Sequence, residues 1–158
     1  MTDNFAQDEK IKPLKFFILN SVLNVLNQQG YDLRNGTVHM LDMWCQEHSM
    51  YSSMDYHVHG GAVMSGFYFL DCPDESSRLV FHDPRPSKVF SNLPELDQNN
   101  LTSASSAVNY VPKPGMLVFA NSWLPHSFTR NSSDKKFTFI HFNVGVTYTL
   151  PTDAPEII

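Results

Sequence analysis

Two histidines one residue apart, His57-Val58-His59, close a run of alternating residues and are followed by Gly60-Gly61. Successive side chains of a strand point to opposite faces, so Asp55, His57 and His59 are expected on one face. Two imidazoles placed in this way can reach one metal ion, and Asp55 offers a carboxylate beside them. For this motif alone the competing reading is structural, with each ring hydrogen-bonded at the surface or in the core. Further along, residues 112–126 read as a turn, an apolar strand, a tight connection through Ser122-Trp123-Leu124-Pro125, and a histidine, His126, opening another strand. Lys135-Lys136 then opens a strand that runs to Asn143. If Lys136 points inward it shares a face with Thr138, Ile140 and Phe142, and an ammonium in that setting takes an anion such as a small dicarboxylate. At a strand edge the same lysine pair would instead be solvated and would discourage strand-to-strand association.

These groups need elements to hold them. From Pro13 the residues Leu14, Phe17, Ile18, Val22, Val25 and Leu26 recur at three- and four-residue steps, one face of an amphipathic helix that Gly30 is placed to end. Residues 1–12 read as a flexible lead-in. After the helix the period changes to two, and residues 37–44, 54–59, 62–70, 78–82, 116–120 and 137–146 read as short strands. Asn35-Gly36, Gly60-Gly61, Asp83-Pro84 and Pro114-Gly115 mark turns between them. Residues 96–109, rich in Ser, Asn and Gln, read as a long exposed connection, and the tail 151–158 as a loose or externally packed end. One helix against many short antiparallel strands predicts an all-β-dominated fold, a β-sandwich or jelly roll with a supporting N-terminal helix.

Composition narrows the classes. The chain has 158 residues, of which 42% are hydrophobic and 13% aromatic, enough for one domain with a packed core spanning about residues 13–150. Eleven Lys and Arg against 16 Asp and Glu give a formal charge of −5, which disfavours a nucleic-acid polymer or an anionic membrane as partner. Apolar runs such as Phe16-Phe17-Ile18-Leu19 are far short of a membrane span. The polar, acidic start reads as neither a secretory signal nor a transit peptide. Cys45 and Cys72 form no CxxC motif, which fits a reducing cytoplasm and argues against a disulfide scaffold or a thiolate zinc site.

Taken together the motifs resemble the 2-oxoglutarate/Fe(II)-dependent oxygenase superfamily, and within it a small bacterial and phage group. That group carries an HxH segment, an SGxYYL-like strand, an LxFxDPR segment, a PxxGxLxxFxSWLxH segment and an RxSxSFN-like strand. The matching stretches here are His57-Val58-His59, Ser65-Gly66-Phe67-Tyr68-Phe69-Leu70, Leu79-Val80-Phe81-His82-Asp83-Pro84-Arg85, residues 112–126, and Lys136 to Asn143. The resemblance spans about residues 44–143. It implies a double-stranded β-helix, a mononuclear Fe(II) site, 2-oxoglutarate as co-substrate, and hydroxylation of a small-molecule or peptidyl substrate in a bacterial or phage-infected cytoplasm. A homodimer is compatible with such folds.

By the same resemblance His57 takes the first histidine position of the metal triad and His126 the distal one. The usual carboxylate two residues after the first histidine is replaced by His59. Three ligand sets follow: His57, His59 and His126; or two histidines with Asp83; or two histidines with Asp55. The three-histidine set is favoured because the resembling group shares the HxH. Lys136 falls where the superfamily places the Arg or Lys that binds the far carboxylate of 2-oxoglutarate, with Tyr68, Thr138 and Ser127 as candidate hydroxyl donors. Arg85 is a candidate to neutralise Asp83 or to meet an anionic substrate, and Arg130 to do the latter. Tyr56, Phe67 and Trp123 read as packing. A cupin-like metal protein is disfavoured because no Glu follows the HxH and Pro114-Gly115 lies well before His126. A non-catalytic β-sandwich module remains the rival from a different class.

Overall fold

The computed structural model describes residues 1–85 and 93–149. A 3-10 turn at Glu9–Ile11 leads into helix α1, Lys12–Gln28. Eight strands follow: β1 Gly36–His48, β2 Met54–His57, β3 Met64–Asp71, β4 Leu79–His82, β5 Ala107–Tyr110, β6 Leu117–Asn121, β7 His126–Phe128 and β8 Phe137–Tyr148. They form two antiparallel four-stranded sheets, ordered β1-β8-β3-β6 and β2-β7-β4-β5. Strands that alternate between two facing sheets in this way make a jelly roll, as the sequence pattern predicts.

Two apolar layers stabilise the sandwich. On the outer face of the first sheet α1 lays down Ile18, Val22 and Leu26, at four-residue steps and 0–3% exposed, against Met40, Met43, Met64, Phe142 and Val144. Burial of each such side chain is worth about 1.5–3 kcal/mol. Phe17, expected on that face, is instead 59% exposed. Between the sheets lie Phe67, Phe69, Leu79, Phe128, Phe137 and Phe139, drawn from both sheets and each 0–2% exposed. Gly66 stands where β3 meets Phe142 and Phe119, and a Cβ added there would lie 2.4 Å from the Phe142 ring and 2.6 Å from Phe119 Cβ.

Alternation on β8 then sorts the strand. Phe137, Phe139 and His141 face the space between the sheets, whereas Ile140, Phe142 and Val144 face α1. On β1 the inner set is Asp42, Trp44, Gln46 and His48, shifted one step by an irregularity between Met40 and Asp42.

Two sequence expectations are corrected. Residues 1–12 are not a free lead-in: Thr2 and Phe5 donate backbone hydrogen bonds to Cys45 and Met43, and Ala6 is 1% exposed. The connection predicted over 96–109 ends in β5, whereas the strand expected to open at His126 is present as β7, three residues long. The tail 151–158 lies outside the described residues. Among the described residues no helix is long and apolar enough to cross a membrane.

Candidate metal centre

Strands β2 and β7 pair with His57 opposite His126, and Met54 opposite Phe128. Three residues of β2 therefore span two of β7, a bulge that keeps both Met54 and His57 inward and turns Asp55 and Tyr56 outward. His59 lies just past β2, where its backbone N–H donates to Ser122 O at 3.0 Å and ties it to the turn before β7. Ring centroids are 4.4 Å apart for His57–His126, 5.0 Å for His57–His59 and 5.1 Å for His59–His126. One nitrogen from each ring lies within 4.8 Å of the others.

Hydrogen bonding fixes which nitrogens face inward. His57 Nδ1 is 2.7 Å from Asp55 O, and His126 Nδ1 is 3.0 Å from Leu124 O. A carbonyl only accepts, so both Nδ1 atoms carry the proton and, in the neutral rings, both Nε2 atoms present bare lone pairs. Backbone carbonyls two residues upstream thus set each ring in a ligating tautomer. Burial pushes His126 and His59 down to about 4, with neighbouring histidines adding to the effect, so both rings are neutral at pH 7. Neutral imidazole is the form that binds metal.

The surrounding inner face supplies residues that motif reading did not single out. His141, 1% exposed, places Nε2 3.2 Å from His59 Nε2 and stacks on Trp44 at 4.3 Å and 11°. Beside that row Ser65 Oγ donates to Asn143 Oδ1 at 2.6 Å, and Asn143 Nδ2 donates to Asp42 Oδ1 at 2.8 Å. The available signal was the period-two series Phe137, Phe139, His141, Asn143, which the Lys136-based phase passed over.

The other predicted residues fall elsewhere. Lys136 is exposed and its Nζ pairs with Glu47 at 2.9 Å, and Tyr68 and Thr138 share the sheet face that α1 covers. Ser127 sits on the outer face of the second sheet, bonded to His82 Nε2 at 2.8 Å. Asp83 is paired with Arg85, and Asp55 gives its backbone oxygen to His57 while its side chain is exposed, so neither carboxylate joins the three imidazoles. Arg130 lies over the Tyr51 ring at 5.2 Å. A cavity of about 370 Å³ opens between the edges of β5 and β6, with Asp83 and Arg85 among its lining and Phe81 between it and His126.

A sequence profile of the family described as "Putative 2OG-Fe(II) oxygenase" matches residues 42–143, more than half of the chain. The chain belongs to this family. Iron and 2-oxoglutarate are the cofactor and co-substrate that the family's description names. Among solved structures, an oxidoreductase of the 2OG-Fe(II) oxygenase family from Burkholderia pseudomallei is similar at 11% identity and TM-score 0.53, covering 80% of this chain and 57% of that one. The nickel complex of the non-heme monooxygenase ThoJ is 15% identical with TM-score 0.54, covering 84% and 52%. HygX from Streptomyces hygroscopicus with iron bound is 12% identical with TM-score 0.54, covering 90% and 71%. At these identities the likeness is one of fold, and this chain spans just over half the length of the first two. No protein of curated function matches the sequence.

The donor set fits a metal ion: neutral nitrogen ligands converge, and two tautomers are preset by backbone carbonyls. The expected carboxylate anchor on β8 does not fit. The inner positions there are Phe137 and Phe139, and among the described residues every Lys and Arg is exposed except Lys15, which bonds Ala6 O beside α1.

Proposed function

We propose that the chain is a mononuclear Fe(II) oxygenase whose metal is held by His57, His59 and His126, acting on a small-molecule or peptidyl substrate. The convergence of three imidazoles, two of them with Nε2 bared by backbone carbonyls, carries this reading. Iron bound there supplies the means to activate oxygen for oxidation of a C–H bond. The protein's part is positional. Asp55 O and Leu124 O orient two ligands, and the edges of Phe67 and Phe81 shield His126 from water. The β5/β6 cavity, within the ~300–1,000 Å³ usual for ligand sites, is the proposed substrate approach, with Arg85 at its lining. The role of 2-oxoglutarate enters from the family alone, and Lys136 is not proposed as its anchor.

The test is an anaerobic Fe(II) titration of metal-stripped protein, followed by oxygen uptake and succinate formation on adding 2-oxoglutarate. One equivalent of Fe(II), lost in His57→Ala and His126→Ala, supports the centre, and absence of binding overturns it. Among the described residues no Lys or Arg reaches the interior between the sheets, which favours a second reading, in which the substrate itself chelates the metal and no 2-oxo acid is used. Succinate release coupled to oxygen uptake would rule that second reading out.

A further inference from the structure

We propose that Asp42 holds a protonated amine of the substrate beside the metal centre, which makes the substrates aliphatic amines or amine-bearing side chains. This assignment of substrate class rests on the metal-centre reading of His57, His59 and His126. Strands β1 and β8 of the first sheet lie across from β7 of the second, with His48 packed on Phe128 and His141 on His59. In the register of that sheet Asp42 stands opposite Asn143, and Trp44 opposite His141. On its other side β8 places Asn143 opposite Ser65. His141 Nε2 lies 3.2 Å from Nε2 of the ligand His59. Side chains on one strand face repeat at about 7 Å. Asp42 therefore stands one repeat beyond the row that touches the centre.

Hydrogen bonds along this row run in one direction. Ser65 Oγ donates to Asn143 Oδ1 at 2.6 Å, and Asn143 Nδ2 donates to Asp42 Oδ1 at 2.8 Å. The ionised carboxylate only accepts, and that sets the orientation of the amide and then of the hydroxyl. Ser65 and Asn143 are buried, whereas Asp42 is partly exposed, so the row ends on a carboxylate that a ligand can reach. One bond from a neutral amide leaves most of its charge uncompensated. Among the described residues no Lys, Arg or His pairs with Asp42, and its Oδ2 accepts no hydrogen bond. Asp42 is also not among the groups that converge on the ion. A neutral acceptor would hold Asn143 at a lower desolvation cost, so the charge itself points to a cation supplied from outside.

The geometry selects the kind of cation. A guanidinium fork takes two carboxylate oxygens side by side, and Oδ1 is already engaged by Asn143. An ammonium is a point charge and suits the single open oxygen. Trp44, two residues on and on the same face, fixes its indole by stacking on His141 at 4.3 Å and 11°. An indole beside a carboxylate adds attraction for a cation. β1 and β6 are the two edges of the first sheet, so Asp42 and the β5/β6 cavity flank the centre from opposite sides.

Pentylamine, protonated at neutral pH, and its uncharged counterpart 1-pentanol test this on metal-stripped protein reloaded with Mn(II) or Co(II). Binding is followed by ligand-observed NMR, while the visible bands of Co(II) report the metal separately. Pentylamine should bind at least tenfold more tightly than pentanol. Mn(II) should relax its terminal methyl more strongly than its α-methylene, because the nitrogen is held away from the ion. Asp42→Asn keeps an oxygen for Asn143 to donate to. It should weaken pentylamine at least tenfold and leave Co(II) affinity within twofold. Equal binding of amine and alcohol, or unchanged amine affinity in folded Asp42→Asn, overturns the proposal and leaves the metal centre standing. Strongest relaxation at the α-methylene, which puts the nitrogen end against the metal, does the same. If Co(II) does not bind to wild-type protein, the centre itself fails and the substrate assignment with it.

Discussion

Acid should destabilise the metal-free protein steeply, and the size of the effect follows from where the histidines sit. His126 and His141 are 2% and 1% exposed, and burial pushes them from the ordinary 6.5 down to about 4 and about 2. In the unfolded chain both rings take up a proton near 6.5, so below that pH the unfolded state binds more protons than the native state. Stability from keeping these rings neutral is therefore complete above about pH 6.5 and is lost as pH falls toward the native values. At pH 5.5, one unit below the unfolded value, each ring contributes a loss of about 1.4 kcal/mol, together about 3 kcal/mol. His48, pushed down by burial, adds in the same sense, as does the less buried His59. Urea unfolding of metal-stripped protein at pH 7.5, 6.5 and 5.5 measures this directly. His126→Asn and His141→Phe should each remove about 1.4 kcal/mol of the pH-dependent loss, whatever they do to absolute stability. A change below about 1 kcal/mol between pH 7.5 and 5.5, or an undiminished pH dependence in the double variant, would refute the reasoning. Saturating metal should raise stability at pH 7.5 and steepen the acid loss, because protons compete with the ion for the same nitrogens.

Four further outcomes are expected. Asp55→Ala should leave Fe(II) affinity within about twofold of wild type, because the backbone oxygen and not the carboxylate orients His57; isothermal titration calorimetry checks it. Lys136→Ala should lower stability by less than about 1 kcal/mol and leave metal affinity unchanged, since it removes one exposed ion pair with Glu47. Any tenfold change in co-substrate KM for that variant would reinstate Lys136 at the site. Gly66→Ala should destabilise by about 1–3 kcal/mol, because its methyl collides with Phe142, Phe119 and the Val118 carbonyl; thermal unfolding should show a fall of several degrees. Phe139→Ala should destabilise by about 3–5 kcal/mol in urea unfolding, since a ring fully buried between the sheets leaves a cavity.

The donors of the centre were legible because their signal is local. His57 and His59 are two residues apart and His126 follows a recognisable turn; spacing alone left a structural reading open, and the resemblance of the motifs to the oxygenase family selected them. Asp55 was misplaced because a bulge in β2 adds one residue against β7, and register belongs to a pair of strands rather than to one. The strand opening at His126 was expected and is β7, whereas β5 escaped notice because four residues carry too little periodicity to stand out.

Lys136 and His141 show where sequence reading stops. Strand β8 is apolar on both faces, one against α1 and the other against the second sheet, so its hydrophobic pattern does not say which set points between the sheets. Counting from Lys136 gives one phase and counting from Phe137 gives the other. The first sends a cation to the interior with Thr138 and Ile140; the fold adopts the second, which sends Phe139 and His141 there.

The sequence by itself determined that strands dominate, that one helix covers them, and that His57, His59 and His126 are available as ligands, because period and residue chemistry are written along the chain. The tertiary structure decided that these rings converge, that His141 packs beside His59, and that aromatic rings occupy the interior where a cation was expected. The reason is that a strand's two faces differ by a single residue of phase, and only pairing and packing with other elements set it.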